Sequence, residues 1–416
     1  MQLTQGIAHV LPATSSGDIA WMLTSTLLVL MMAVPGVGLF YGGLVRAKNV
    51  LSVLIQVLAV FSLTLLLWAF YGYSLVFSGG GALIGDLHMA FLHGLTPGSV
   101  TTTGLPSLPY FAFQATFAGI ACALIVGALA ERMKFGAVLV FTAVWFTLAY
   151  LPIAHMVWAP HGWLLELGAL DFAGGTVVHI NAGVAGLVGA ALLGPRTGIG
   201  RTSMRPHNLP LASLGAALLW VGWFGFNAGS SLHADARAAL AFVDTLLAGA
   251  AGVTAWLCAE ACIKGQPSVL GGATGMVAAL VGITPACGTV GPMGAILVGI
   301  VSSLLCMWGV TGLKRRLRVD DALDSFGVHA IGGIAGALLT GIFSTPALGG
   351  LGPTDMALLR QLGVQALAVG MTVAWSAVAA LAAGLLVRRT LGMRVTPDHE
   401  HAGLDTSSHG ESAYET

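Results

Sequence analysis

His179 and His329 have the side chains best placed to do chemistry, because both sit in long apolar runs and their surroundings match. The first lies in Asp171-Phe-Ala-Gly-Gly-Thr-Val-Val-His179-Ile-Asn-Ala-Gly183-Val-Ala-Gly186. The second lies in Asp321-Ala-Leu-Asp-Ser-Phe-Gly-Val-His329-Ala-Ile-Gly-Gly333-Ile-Ala-Gly336. Each has Asp eight residues before it, Val directly before it, and Gly four and seven residues after it. An ionisable side chain is costly inside a membrane and there marks a substrate or proton path. Two such residues in register place that path between the halves of a duplicated chain. The bland alternative is two separate packing histidines bonded to nearby carbonyls, and the matched contexts weigh against it.

The elements that must position these residues are membrane spans. The chain has 416 residues, 56% of them hydrophobic and only 8% charged, where a soluble domain carries about a quarter charged. Its 58 glycines suit close helix packing in lipid. A span needs about 20 mostly apolar residues. Eleven are read, near 20–42, 50–78, 109–130, 135–158, 175–194, 210–232, 238–262, 269–287, 291–313, 326–345 and 360–387. The apolar runs are too long, and alternate too little, for an outer-membrane barrel.

Of the 17 Lys and Arg residues, all but Arg237 and Arg360 follow an odd-numbered span. The crowded side is expected to be cytoplasmic, which puts the N-terminus outside and the C-terminus inside. Residues 1–17 show no basic n-region or apolar h-region of a signal peptide. The two histidines fall in spans five and ten, so the second copy runs upside down relative to the first. The expected fold class is an all-α polytopic membrane protein with eleven transmembrane helices, an inverted 5+5 repeat plus a final helix. Its parts are an extracytoplasmic N-terminus (1–19), two five-helix repeats (20–194 and 195–345), an eleventh helix (346–389) and a cytoplasmic tail (390–416). At 100° per residue, Gly at +4 and +7 lies on the histidine's face. Two such bare faces crossing would bring His179 and His329 together.

Other polar residues read more modestly. Asp171 heads span five and is expected to cap it while lending a negative field above the path. Asp321 matches it and is read as a cap. Glu260 is read as a loop anchor and His155 as structural. Cys122, Cys258, Cys262, Cys287 and Cys306 are read as small core residues without metal-site spacing. His399 and His401 make a weak metal motif in a mixed-charge tail whose bland reading is disorder. No metal, no cofactor and no nucleic-acid partner is expected.

The longer motifs carry a resemblance. The run from Asp171 to His179 closely resembles the signature of the Amt/Mep/Rh ammonium transporters, in the bacterial Amt branch. So do Trp223-Phe-Gly-Phe226-Asn-Ala-Gly-Ser230, Ala154-His-Met-Val-Trp158 and Phe326-Gly-Val-His329. The likeness extends from Phe40-Tyr-Gly-Gly-Leu-Val-Arg46 to His409-Gly-Glu-Ser-Ala-Tyr414. It implies a homotrimer in the bacterial inner membrane with one pore per subunit, taking ammonium or methylammonium. By the same resemblance, Trp158, Phe117, Ser230 and Phe113 correspond to an outer recruitment site. Phe117 and Phe226 correspond to a phenyl gate, His179 and His329 to the twin histidines of the pore, and Asp171 to its supporting acid. The tail corresponds to a segment that contacts a PII-family nitrogen regulator at the cytoplasmic face.

These residue types suit a small cation that can lose a proton. Aromatic faces attract cations, Trp most strongly, and a hydroxyl such as that of Ser230 can accept an N–H bond. Neutral ammonia crosses an apolar, imidazole-lined pore cheaply, whereas K⁺ would need full resolvation. An ammonium sensor using the same site is the competing function. An intramembrane enzyme is disfavoured, because no nucleophile motif or third metal ligand accompanies the histidines.

Overall fold

Hydrophobic runs that cannot hydrogen-bond to lipid must satisfy their backbone internally, and here they do so as helices. The computed structural model describes residues 15–352 and 357–414, and among these the only β-type pairings are two isolated bridges. Ten helices are long and apolar enough to cross a membrane. They are α1 (Ser16–Leu44), α2 (Ala47–Phe77), α3 (Ser107–Leu129), α4 (135–158), α5 (Gly175–Leu193), α6 (Leu209–Gly229), α7 (Ala236–Lys264), α9 (Pro292–Leu317), α10 (Phe326–Phe343) and α11 (Leu358–Thr390). The eighth expected span forms a shorter helix, α8 (Val269–Ile283). It stops before 287 where Pro285 supplies no N–H to continue the ladder, although Thr284 itself keeps helical angles (φ −52°, ψ −47°). The carbonyls freed there are taken by the other half, with Phe172 N–H donating to Pro285 O and Ala173 N–H to Thr284 O.

α5 begins beside Trp158, whereas α10 begins at the opposite end, among the Lys and Arg side chains. The two copies therefore run antiparallel, as an inverted repeat requires. Local irregularities repeat with them. Wide π-type turns open both α5 (Gly175–Ile180) and α10 (Phe326–Ala330) and recur in α4 (Phe146–Tyr150) and α9 (Gly309–Leu313), whereas those in α1 (Met32–Gly36) and α2 (Trp68–Gly72) have no counterpart in α6 and α7. A left-handed residue precedes each histidine by five positions, Gly174 at φ 103° and Asp324 at φ 60°. Asp tolerates that conformation because its short polar side chain can bond locally.

Glycine sets how closely α5 and α10 cross. A Cβ on Gly183 would come within 2.5 Å of Ala330 N, and one on Gly333 within 2.8 Å of Gly175 O. The glycines at +7 serve other neighbours, Gly186 meeting Ala128 of α3 and Gly336 meeting Gly282 of α8. The bare face expected for the crossing is thus shared between two contacts. α3 is buried almost throughout, while α7 and α11 leave most of their length facing outward. Leu359, Val378, Ile263 and Met293 are among the exposed apolar side chains that a bilayer would cover.

The basic ends of the helices are stitched by buried charges. Glu131 accepts from Arg46 at 2.7 Å and Arg196 at 3.4 Å, and Arg196 also reaches Asp320 at 2.9 Å. Burial opposes ionised Glu131, but Arg196 and Arg46 overcome it and hold the carboxyl below the usual glutamate value. The described part of the tail packs against this base, which sets aside the bland alternative of a disordered terminus. Two short helices, α12 (Pro397–Ala402) and α13 (Leu404–His409), dock there. Asp405 accepts from the N–H groups of Leu51 and Ser52, and Glu400 from Thr197 and Arg394. The tail therefore lies on the 45–52 and 193–207 segments rather than on the Lys314–Arg318 cluster. Two of the cysteines also depart from expectation: Cys258 and Cys262 are exposed on α7, whereas Cys122, Cys287 and Cys306 are buried. The first fourteen residues, which hold most of the expected extracytoplasmic segment (1–19) and of the signal-peptide reading (1–17), lie outside the described residues, as do 353–356 and 415–416, while α1 already starts at Ser16.

Candidate functional site

A carboxylate in front of a helix can satisfy the N–H groups that have no intrahelical partner. Asp171 does so for α5, accepting from Gly174 at 2.9 Å, Gly175 at 2.6 Å, Thr176 at 2.9 Å and Val177 at 3.2 Å. The Thr176 hydroxyl also donates to it. Asp321 does the same for α10 through Ser325 at 3.0 Å and Phe326 at 2.8 Å. The paired aspartates fix the direction from which each histidine-bearing turn enters. Asp171 has a second role, since its backbone carbonyl accepts from Trp158 Nε1 at 3.0 Å and so orients the indole.

From Trp158 a line of rings descends between the halves. Phe117 lies edge-on to Trp158, with centroids 5.9 Å apart, and Phe113 packs on Phe117 at 4.8 Å. Phe117 and Phe226 are stacked at 4.0 Å and 13°. Phe226 is 5.9 Å from the ring of His179, and His179 lies over His329 at 5.3 Å and 14°. The phenylalanines are buried, whereas Trp158 and Ser230 are half-buried at the mouth. The Ser230 hydroxyl donates to the Phe226 carbonyl at 2.8 Å, which leaves its oxygen lone pairs available to a donor.

The two imidazoles meet at Nδ1, 3.3 Å apart. One Nδ1–H must donate to the other's lone pair, so the contact couples their tautomers. Nε2 of His179 is buried without a protein partner. Beside the pair is a space of about 10 Å³ lined by both histidines and by Tyr41, Leu124, Trp223 and Val277, enough for about one water-sized molecule. Among the described residues this lining carries no Lys, Arg, Asp or Glu. Beyond His329 a cavity of about 490 Å³ opens to the basic end past Tyr41, Glu260 and Lys314.

Trp158, Phe113, Phe117, Phe226, His179 and His329 therefore form one contiguous series of rings, with Asp171 bonded to Trp158 and Ser230 to Phe226. Trp223 was missed. It stacks on His179 at 5.5 Å and 26° and is tethered by Nε1 to Thr284 at 2.9 Å. Its signal was available, because it precedes Phe226 by three residues and shares its helix face. Thr176 and Tyr41 were also missed, and nothing in their spacing marks them. Glu260 anchors the α7–α8 loop through Lys264 and Ser268, as expected, yet it also lines the inner cavity. His155 lies between the carbonyls of Val76 and Gly81, both at 2.7 Å, and ties the loop after α2 to α4. No cluster of three or more metal-ligating side chains occurs among the described residues, and the His399 and His401 pair is not part of one.

The likeness to known proteins spans the chain. A model described as the Ammonium Transporter Family matches residues 20–414. An ammonium transporter of Bacillus subtilis is 43% identical over 406 residues, covering 96% of this chain and 98% of that protein. One from Aquifex aeolicus is 43% identical over 402 residues, covering 96% and 93%. Among solved structures, Saccharomyces cerevisiae Mep2 superposes with a TM-score of 0.85 at 34% identity, covering 93% of this chain and 91% of that one. A structure described as a sensor Amt protein gives 0.87 at 29% identity, covering 94% and 98%.

Proposed function

The chain belongs to the Ammonium Transporter Family, and from that premise we propose that it takes up ammonium through the ring-lined path as neutral ammonia. It is a multi-pass membrane protein, and in this reading the membrane is the bacterial inner membrane. The basic end, with the C-terminus, faces the cytoplasm, and Trp158 and the N-terminus face outward. Residues 20–194 and 195–345 are the two inverted repeats, 346–389 carries the added helix, and 390–416 is a regulatory tail. The functional unit is a homotrimer with one pore per subunit.

Ammonium is drawn to Trp158 and Phe117, whose faces attract a cation, beside Phe113 and the free lone pairs of Ser230. Its proton passes to water at the outer mouth before the stacked gate of Phe117 and Phe226, because a charge in the narrow, apolar section would lose its hydration and find no counter-ion. Ammonia then passes the parted rings. An N–H of ammonia can bond to Nε2 of His179 when that atom carries the lone pair, and the Nδ1–Nδ1 contact hands the complementary tautomer to His329. The molecule leaves through the inner cavity, where water can reprotonate it. Charge moved per molecule distinguishes ammonia alone from ammonia with a proton carried by a separate route. The observation that supports this reading best is the unbroken line of rings ending at an unpartnered Nε2 in an apolar passage.

A second reading is an ammonium sensor that uses the same site, favoured by the likeness to the sensor Amt protein. Proteoliposomes challenged with methylammonium separate the two. Accumulation in the lumen is expected. Binding without accumulation would replace transport by sensing. A PII-family protein is proposed as the partner at the cytoplasmic mouth, where a loop inserted into the inner cavity would stop flux sterically.

A further inference from the structure

Above the phenyl gate the protein holds a chamber of about 720 Å³ that the uptake path does not require. Its inner wall is aromatic. Tyr73 and Phe77 come from the outer end of α2, Tyr110 from the start of α3, and Trp158 from the end of α4. The rings are mutually tilted, with centroids 5.5 Å apart for Tyr73 and Phe77, 6.4 Å for Tyr73 and Tyr110, and 5.0 Å for Phe77 and Tyr110. The opposite wall comes from the 88–103 loop and brings the imidazoles of His88 and His93, edge-on at 6.2 Å, and hydroxyls, with Thr101 and Thr103 bonded to each other at 2.9 Å. Among the described residues the lining holds no Lys, Arg, Asp or Glu.

A chamber with π faces and hydroxyl oxygens but no fixed charge suits one class of ligand. Aromatic faces attract cations and recognise N-methyl groups especially well, because those groups need no hydrogen bond in return. The absence of a carboxylate keeps such binding weak and reversible. The volume far exceeds what ammonium fills, and the gate rings at 4.0 Å bar anything bulkier from the pore.

We propose that the part of this chamber walled by Tyr73, Phe77 and Tyr110 is a second, more external binding site for monovalent alkylammonium cations, adjoining Trp158, whose ring it shares with the recruitment site. The proposal rests on the reading of Trp158 as the ammonium mouth. It makes alkylammonium cations too large for the gate into blockers from the outside.

The test uses tetramethylammonium as the probe and the full-length protein. Calorimetry in detergent measures its binding, and proteoliposomes measure its inhibition of methylammonium uptake. In the wild type it should bind and inhibit without entering the lumen. Tyr110→Leu and, independently, Phe77→Leu should each raise the half-inhibitory concentration and the Kd about tenfold, the loss of one partly desolvated cation–π contact. Tyr110→Phe keeps the ring and should behave as wild type. Equal binding in all of these variants, with loss only in Trp158→Leu, would assign the ligand to the recruitment site and overturn the proposal. So would a wild type that binds no tetramethylammonium. Absence of methylammonium uptake alongside ring-dependent binding would instead sink the transport reading and leave the chamber standing.

Discussion

At the scale of single residues, function follows from placing weakly polar groups where charge is expensive. Trp158 holds its indole by a hydrogen bond to the Asp171 carbonyl, so the ring face is fixed before any cation arrives. Trp158→Leu should weaken the apparent affinity for ammonium about tenfold, or roughly 1–2 kcal/mol, while leaving the conduit open. Uptake measured against concentration checks this, and an unchanged curve would make Trp158 a membrane-interface anchor only. In the proposed path the histidines come next. His179→Asp or His329→Asp puts a carboxylate against a passage of about 10 Å³. Either variant should admit K⁺ that the wild type excludes. Unaltered exclusion of K⁺ in both would mean that the histidines do not line the path. The pair was legible in the sequence because its context is written twice. Trp223 was not recognised, since a Trp in an apolar run reads equally as packing, and its stacking on His179 depends on where α6 meets α5.

At the scale of elements, small residues and buried charges decide how the helices meet. Gly183 and Gly333 let α5 and α10 approach until a methyl group on either would collide with backbone. That crossing could be read from the +4 spacing, whereas the +7 glycines pack elsewhere, because which neighbour a face meets depends on tertiary contacts. The π-type turns at both histidines were not legible, since a widened turn changes no apolar period strongly enough to see. Nor was the base network, whose members Arg46, Glu131, Arg196 and Asp320 come from distant loops. Glu131→Gln should destabilise the protein by about 3–5 kcal/mol, the usual cost of breaking a buried pair. Since the folded state holds Glu131 below its ordinary value near 4.3, its contribution is complete above that pH and lost as pH falls through the lowered value. Thermal unfolding in detergent should show the two proteins far apart at pH 7 and converging only in acid. Equal stability at pH 7 would contradict the network's role.

At the scale of the whole molecule, the spans were readable from hydropathy because the bilayer demands long apolar runs, and the inverted repeat from the duplicated histidine context, five spans apart. The docking of the tail was not readable, as it rests on single polar contacts such as Asp405 with Leu51 and Ser52. Those contacts join the tail to the start of α2, so the basic ends of several helices share one support. Deleting residues 390–416 should abolish or weaken inhibition by the host's PII-family protein, read as methylammonium uptake with and without that partner. Inhibition as tight as in the full chain would leave the tail without a regulatory part. The central claim is that a charge-free, histidine-lined passage selects ammonia against alkali cations. Its most direct test is flux into proteoliposomes under equal inward gradients of ammonium or of K⁺, read by lumenal pH and by membrane current. Ammonium should give rapid uptake while K⁺ gives no flux above that of protein-free liposomes. Equal flux of the two ions would contradict the claim.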